Sequence, residues 1–170
     1  MGIAIIMGIQ ESSRDAIMEV LMEDRAFPKF EYTSLDTPEL PVRDMKKYLD
    51  GFNRDIKRFV TENLKSQRTN IIINVPVTIE MQQGLVPVLA EDFFEIVKPE
   101  VLILVEETPE PARMKSEDRR KISMQQEINR EHAARYSSES GCPLKIIKVK
   151  PAGVKVAIRE VKQAIMPAFS

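Results

Sequence analysis

Cysteine and histidine are almost missing from this chain, with one of each, Cys142 and His132, in 170 residues. A lone cysteine excludes an internal disulfide, and one histidine with one cysteine cannot assemble a Cys/His zinc site. An excess of either charge is missing as well. Lys and Arg number 25 against 26 Asp and Glu, a formal net charge of −1. No global field therefore draws the chain to nucleic acid or to an anionic membrane, and any charge-based site is local. The longest apolar runs, around Ile71–Ile73 and Val101–Val105, are strand-sized and far short of the ~20 residues that cross a bilayer. Residues 2–9 lack a basic leader and a small-residue cleavage site, and are expected to form a first strand rather than a signal peptide. A reducing cytoplasm fits these absences.

What is present describes a globular α/β domain. Hydrophobic residues make up 43% of the chain and charged residues 30%, and the length suits one domain over 1–170 with a full core. Short apolar runs recur at Ile3–Met7, Ile71–Ile73, Val101–Val105 and Leu144–Val149, the pattern of strands buried on both faces of a parallel sheet. Phe30–Thr33 alternates apolar and polar residues, which suits a sheet edge. Val42, Met45, Leu49, Phe52, Ile56, Val60 and Leu64 are spaced for a long amphipathic helix starting near Pro41. Leu85, Val88, Leu89, Phe93 and Val97 predict a second helix, ending before Pro99, and Val154, Ile158, Val161 and Ile165 a last one. Strand and helix alternate throughout. This order predicts a three-layer α/β fold with a five-stranded parallel sheet, whose ligands bind at the carboxyl ends of the strands.

The first strand runs into Gly8-Ile9-Gln10-Glu11-Ser12-Ser13-Arg14-Asp15 and then into a helical pattern. That is the layout of a phosphate-binding loop, G-x-x-x-x-G-K-[ST], in which backbone N–H groups and a helix N-terminus hold phosphate. Only Gly8 matches. Ser13, Arg14 and Asp15 stand where the second Gly, the Lys and the hydroxyl belong. Gly8, Ser12, Ser13 and Arg14 are the residues that would meet phosphate. The competing reading is local: Ser12 or Ser13 caps the helix and Asp15 answers its dipole.

From Ile71 onward the chain resembles the archaeal-type adenylate kinases, a branch of the P-loop nucleoside monophosphate kinases. The matching residues are Ile71-Ile72-Ile73-Asn74, Thr78-Ile79, Gly84-Leu85-Val86-Pro87, Lys98-Pro99-Glu100 with the strand Val101–Glu106, Arg113, Arg119, Asn129-Arg130 with Ala133, and Leu144-Lys145-Ile146-Ile147. The resemblance implies Mg²⁺-dependent phosphoryl transfer between ATP and AMP, a trimer, and a mobile lid bearing arginines. Thr108–Gln126 would be that lid, with Arg119 and Arg130 as the catalytic cations if the chain is active. Lys46 and Gly84 would lie on the acceptor-nucleotide side. The bland alternative for the basic residues of 113–121 is a solvated helix surface. His132, on the same helical pattern, reads as a surface residue rather than a general base, and Cys142 as a small apolar one.

The chain also departs from the family at three places. The loop carries side chains at Gln10, Glu11 and Ser13 where glycines would let N–H groups approach phosphate. Asn74 stands where the family has an acidic residue near Mg²⁺, and no metal ligand set is evident in the sequence. Lys46 stands where the family has an arginine on AMP phosphate. Two classes of function follow. One is a catalytically impaired relative that serves as a weak nucleotide binder, sensor or interaction subunit; the other is an active, divergent kinase using Mg-ATP. If 108–126 is a lid, its amides in the ligand-free protein exchange with deuterium faster than those of the central strands. Exchange as slow as in Ile71–Ile73 would count against a lid.

Overall fold

The computed structural model describes residues 2–9, 13–35, 43–65 and 69–169. Pro41, Val42, Gln10, Glu11 and Ser12 lie outside them. Strands β1 (Ile3–Gly8), β2 (Phe30–Ser34), β3 (Asn70–Pro76), β6 (Val101–Glu107) and β7 (Leu144–Val149) form one sheet in the order β2-β3-β1-β6-β7. Every pairing in it is parallel. The expected five-stranded α/β architecture is therefore observed, with Phe30–Ser34 at an edge. Helices α1 (Ser13–Glu23), α2 (Met45–Leu64), α4 (Ser116–Ser140) and α5 (Val154–Phe169) flank the sheet.

Period-two alternation assigns each strand residue to a layer. Ile3, Ile5 and Met7 of β1 pack with Leu49, Ile56 and Val60 of α2 and with Ala133 and Tyr136 of α4. Ala4 and Ile6 face the other way, toward Ile17 and Leu21 of α1 and Val161 and Ile165 of α5. Leu102 and Leu104 of β6 belong to the first core, and Val101, Ile103 and Val105 to the second. Both faces are buried, which explains why these strands read as continuous apolar runs.

One expected helix is not there. Residues 78–87 form a hairpin, β4 (Thr78–Met81) against β5 (Gly84–Pro87), and only Phe93–Ile96 is helical, as α3. Gly84 is a turn residue with φ of 141°, a backbone that other residues rarely adopt. Of the residues that set the helical spacing, Val88, Leu89, Phe93 and Val97 face one core together with Val86 of the hairpin, and Leu85 lies outside it. An amide clamp fixes the hairpin's exit: Asn53 Nδ2 of α2 donates to Val88 O at 2.9 Å, and Ala90 N donates to Asn53 Oδ1 at 2.9 Å.

The helix boundaries also carry corrections. Helix α2 starts at Met45 under an Asp44 cap, whose side chain accepts from Lys47 N at 3.0 Å. The charged stretch 108–126 divides at Ser116, its second half being the opening turns of α4. That helix ends at Gly141, left-handed at φ 70°, with its N–H donating to Ser137 O.

Candidate functional site

The carboxyl ends of β1, β3 and β6 meet the N-terminal end of α1, the crevice where open α/β sheets bind ligands. Gly8 closes β1. A Cβ there would lie 2.8 Å from Val105 O and 3.0 Å from Arg14 Cδ, so only glycine fits. Arg14 is 4% exposed. Its Nε and Nη2 donate to Ile9 O at 3.2 and 3.0 Å, and its Nη1 donates to Asn74 Oδ1 at 2.6 Å. Burial pushes the guanidinium down to about 10, opposed by the charges of Asp15 and Glu107, so it remains a cation at neutral pH. Its planar fork is thus engaged with the loop and the end of β3, and Asn74 Nδ2 in turn donates to Asp15 Oδ1 at 3.4 Å.

The decisive contact comes from a residue the sequence reading passed over. Ser13 N donates to Glu107 Oε1 at 2.7 Å and Ser13 Oγ donates to Glu107 Oε2 at 2.9 Å. A carboxylate of this chain thus sits at the first turn of α1, where the helix dipole and its unpaired N–H groups attract an anion. Ser13 gives its hydroxyl to that carboxylate, which corrects the expectation that its oxygen caps the helix. Ser12 lies outside the described residues. The signal was available, since β6 alternation puts Glu107 on the same face as Val101, Ile103 and Val105, the face that packs on α1.

Glu106 points the opposite way. It is 4% exposed and receives a bidentate contact from Arg130 of α4, Nε to Oε2 at 2.5 Å and Nη2 to Oε1 at 2.6 Å. The pairing holds the Arg130 guanidinium above its ordinary value. Gln126, one turn earlier on α4, holds the backbone between the sheet and the 108–115 loop. Its Oε1 accepts from Glu107 N at 2.7 Å and its Nε2 donates to Glu107 O at 3.0 Å. Arg119 is half-buried, and its Nε has no hydrogen-bond partner among the described residues.

Two clefts share Glu107 as a wall. One, of about 420 Å³, lies beside Ser13 and is bounded by the 108–115 loop, Ile122 and the β7–α5 turn. That turn contains Ala152 at φ 58°, a left-handed backbone that costs a non-glycine residue about 1–2 kcal/mol. The other, of about 320 Å³, lies over the Glu106–Arg130 pair and Gln126. Lys46 and Gly84 line neither, Lys46 being exposed in the first turn of α2 and Gly84 in the hairpin turn. His132 is half-buried against Tyr136, with Nδ1 3.1 Å from Arg135 Nη2.

Among curated proteins the chain is similar to the adenylate kinase of Methanothermobacter thermautotrophicus, 23% identical over 184 aligned residues that cover 97% of this chain and 100% of the relative. It is also similar to the adenylate kinase of Methanopyrus kandleri, 26% identical over 126 residues, 66% of each. The chain is a divergent relative of the archaeal adenylate kinases. Its fold is that of a P-loop kinase: a thymidylate kinase from Ehrlichia chaffeensis superposes with a TM-score of 0.58 at 11% identity, covering 96% of this chain and 98% of that one. No protein-family model matches.

Mg²⁺ carried by a nucleotide leans on one or two protein oxygens. In this adenylate kinase relative the Asn74 oxygen is taken by Arg14 and the Asp15 carboxylate accepts from Asn74. The strand end and first helical turn do not fit the ion in this arrangement. A Gly8→Ala variant should lose about 1–3 kcal/mol of stability, because its methyl group would meet Val105 O and the Arg14 side chain. Denaturant unfolding measures this, and an unchanged midpoint would contradict the close approach.

Proposed function

We propose that this chain is an adenylate-kinase-related protein that is catalytically impaired, binds nucleotide weakly, and acts as a sensor or interaction subunit. The observation that carries the reading is the Glu107 carboxylate on Ser13. Phosphate entering the first turn of α1 must displace it or share the site with it. Two like charges ~4 Å apart repel by about 4 kcal/mol at an effective dielectric near 20. The cation that would oppose this, Arg14, is already bonded to Ile9 O and Asn74. On the far side of β6, Arg130 is paired with Glu106.

The resemblance supports adenine nucleotide as the ligand class, with Gly8, Ser12, Ser13 and Arg14 toward its phosphates and Lys46 and Gly84 toward an acceptor. It also supports the alternative, an active kinase transferring phosphoryl from Mg-ATP to AMP with Arg119 and Arg130 as charge-neutralising residues. Arg119 Nε, buried and without a hydrogen-bond partner among the described residues, is a donor that this second reading would give a phosphate to bond. The Arg130–Glu106 pair weighs against it.

Calorimetric titration with ATP, ADP and AMP, with and without Mg²⁺, joined to a coupled turnover assay, separates the two. The impaired reading predicts weak binding and no conversion of ADP into ATP and AMP. Turnover at ordinary kinase rates of about 1–100 s⁻¹ would overturn it.

A further inference from the structure

Glu107 is unusually well held for a carboxylate at the end of a strand. Gln126 bonds both its N–H and its carbonyl, at 2.7 and 3.0 Å, and Ser13 bonds both carboxylate oxygens, at 2.7 and 2.9 Å. Four hydrogen bonds from two helices fix the backbone and the charge together. The side chain forms part of the wall of the cleft of about 420 Å³, a size suited to a small-molecule ligand.

The remaining lining is mostly apolar, with Ile9, Pro109, Met114, Ile122, Val149 and Val154 presenting hydrocarbon. Its charged residues balance: Glu107 and Glu110 against Arg113 and Lys150. Arg113 Nε is itself 3.1 Å from Glu110 Oε2. The cleft therefore offers apolar walls to a flat heterocycle and carboxylate acceptors to hydroxyl groups. It offers a polyphosphate no net attraction, and places a fixed negative charge at the helix end that would receive it.

We propose that Glu107, positioned by Gln126, acts as a built-in substitute for phosphate, so that this cleft selects an unphosphorylated nucleoside over the corresponding nucleotide. Glu107 is then the specificity-determining residue, recognising the absence of phosphate. The inference rests on the impaired reading above, and it adds the ligand class.

The test is calorimetric titration of the full chain with adenosine, guanosine, cytidine and thymidine and with the triphosphate of each, in the unmodified protein, in Glu107→Ala and in Glu107→Gln. At least one nucleoside should bind the unmodified protein about tenfold more tightly than its triphosphate, ~1.4 kcal/mol. Glu107→Ala should reverse that order, strengthening triphosphate binding relative to nucleoside binding. Glu107→Gln keeps the shape without the charge, and should shift selectivity in the same direction even if the alanine variant folds poorly. The proposal is overturned if every triphosphate binds the unmodified protein more tightly than its nucleoside, if no nucleoside binds, or if neither variant changes the ratio. Turnover of ADP by the unmodified protein would defeat the impaired reading itself. Absent turnover combined with triphosphate preference would leave that reading standing and defeat only the nucleoside selectivity.

Discussion

The contact between the Glu107 carboxylate and the first turn of α1 organises the carboxyl end of the sheet. Helix α1 begins beside three buried strands, and its exposed N–H groups carry a partial positive charge that requires an anion or water. In a phosphate-binding loop the anion is the ligand. Here β6 supplies it from within the chain through Ser13. The alternation of β6 makes this possible, because adjacent residues at the strand's end leave on opposite faces. Glu107 goes to α1 and Glu106 to Arg130 of α4, so one dipeptide ties both helical layers to the crevice.

The other parts of the crevice fall into place around that contact. Arg14 lies one residue into α1 and turns back to Ile9 O and Asn74. A buried cation is tolerable because Asp15 and Glu107 are near. Gly8 is required because the Arg14 side chain and the Val105 carbonyl occupy the space a Cβ would need. Gln126 then transmits the position of α4 to Glu107 through two backbone hydrogen bonds. The segment that the resemblance assigns to a lid is thereby tied to the anion site.

Much of the fold was legible in the sequence for one physical reason: the strands are buried on both sides, and Ile3–Met7, Ile71–Ile73 and Val101–Val105 therefore stand out as unbroken apolar runs. The hairpin at 78–87 escapes a reading by periodicity because Leu85, Val88 and Leu89 repeat with a helical spacing, although Val86, Val88 and Leu89 face the core and Leu85 does not, and Gly84 and Pro87 serve a turn as readily as a helix start. The site was legible only in part. Gly8, Ser13 and Arg14 do meet at one crevice, but which partner each would choose depends on residues about 60 to 94 positions away in sequence. Glu107 lies just past the strand Val101–Glu106 that the sequence marks, and nothing local singles it out. Its significance appears once β6 is seen beside β1 and Val105 beside α1.

The most direct measurement is the backbone amide resonance of Ser13 followed by NMR as inorganic triphosphate is added to the unmodified protein. That N–H reports on whichever anion occupies the start of α1. If Glu107 holds the position, the resonance stays where it is through about millimolar triphosphate, the range of weak affinity. A saturable shift of Ser13 at about micromolar triphosphate would mean that phosphate displaces Glu107 readily, and would contradict the account.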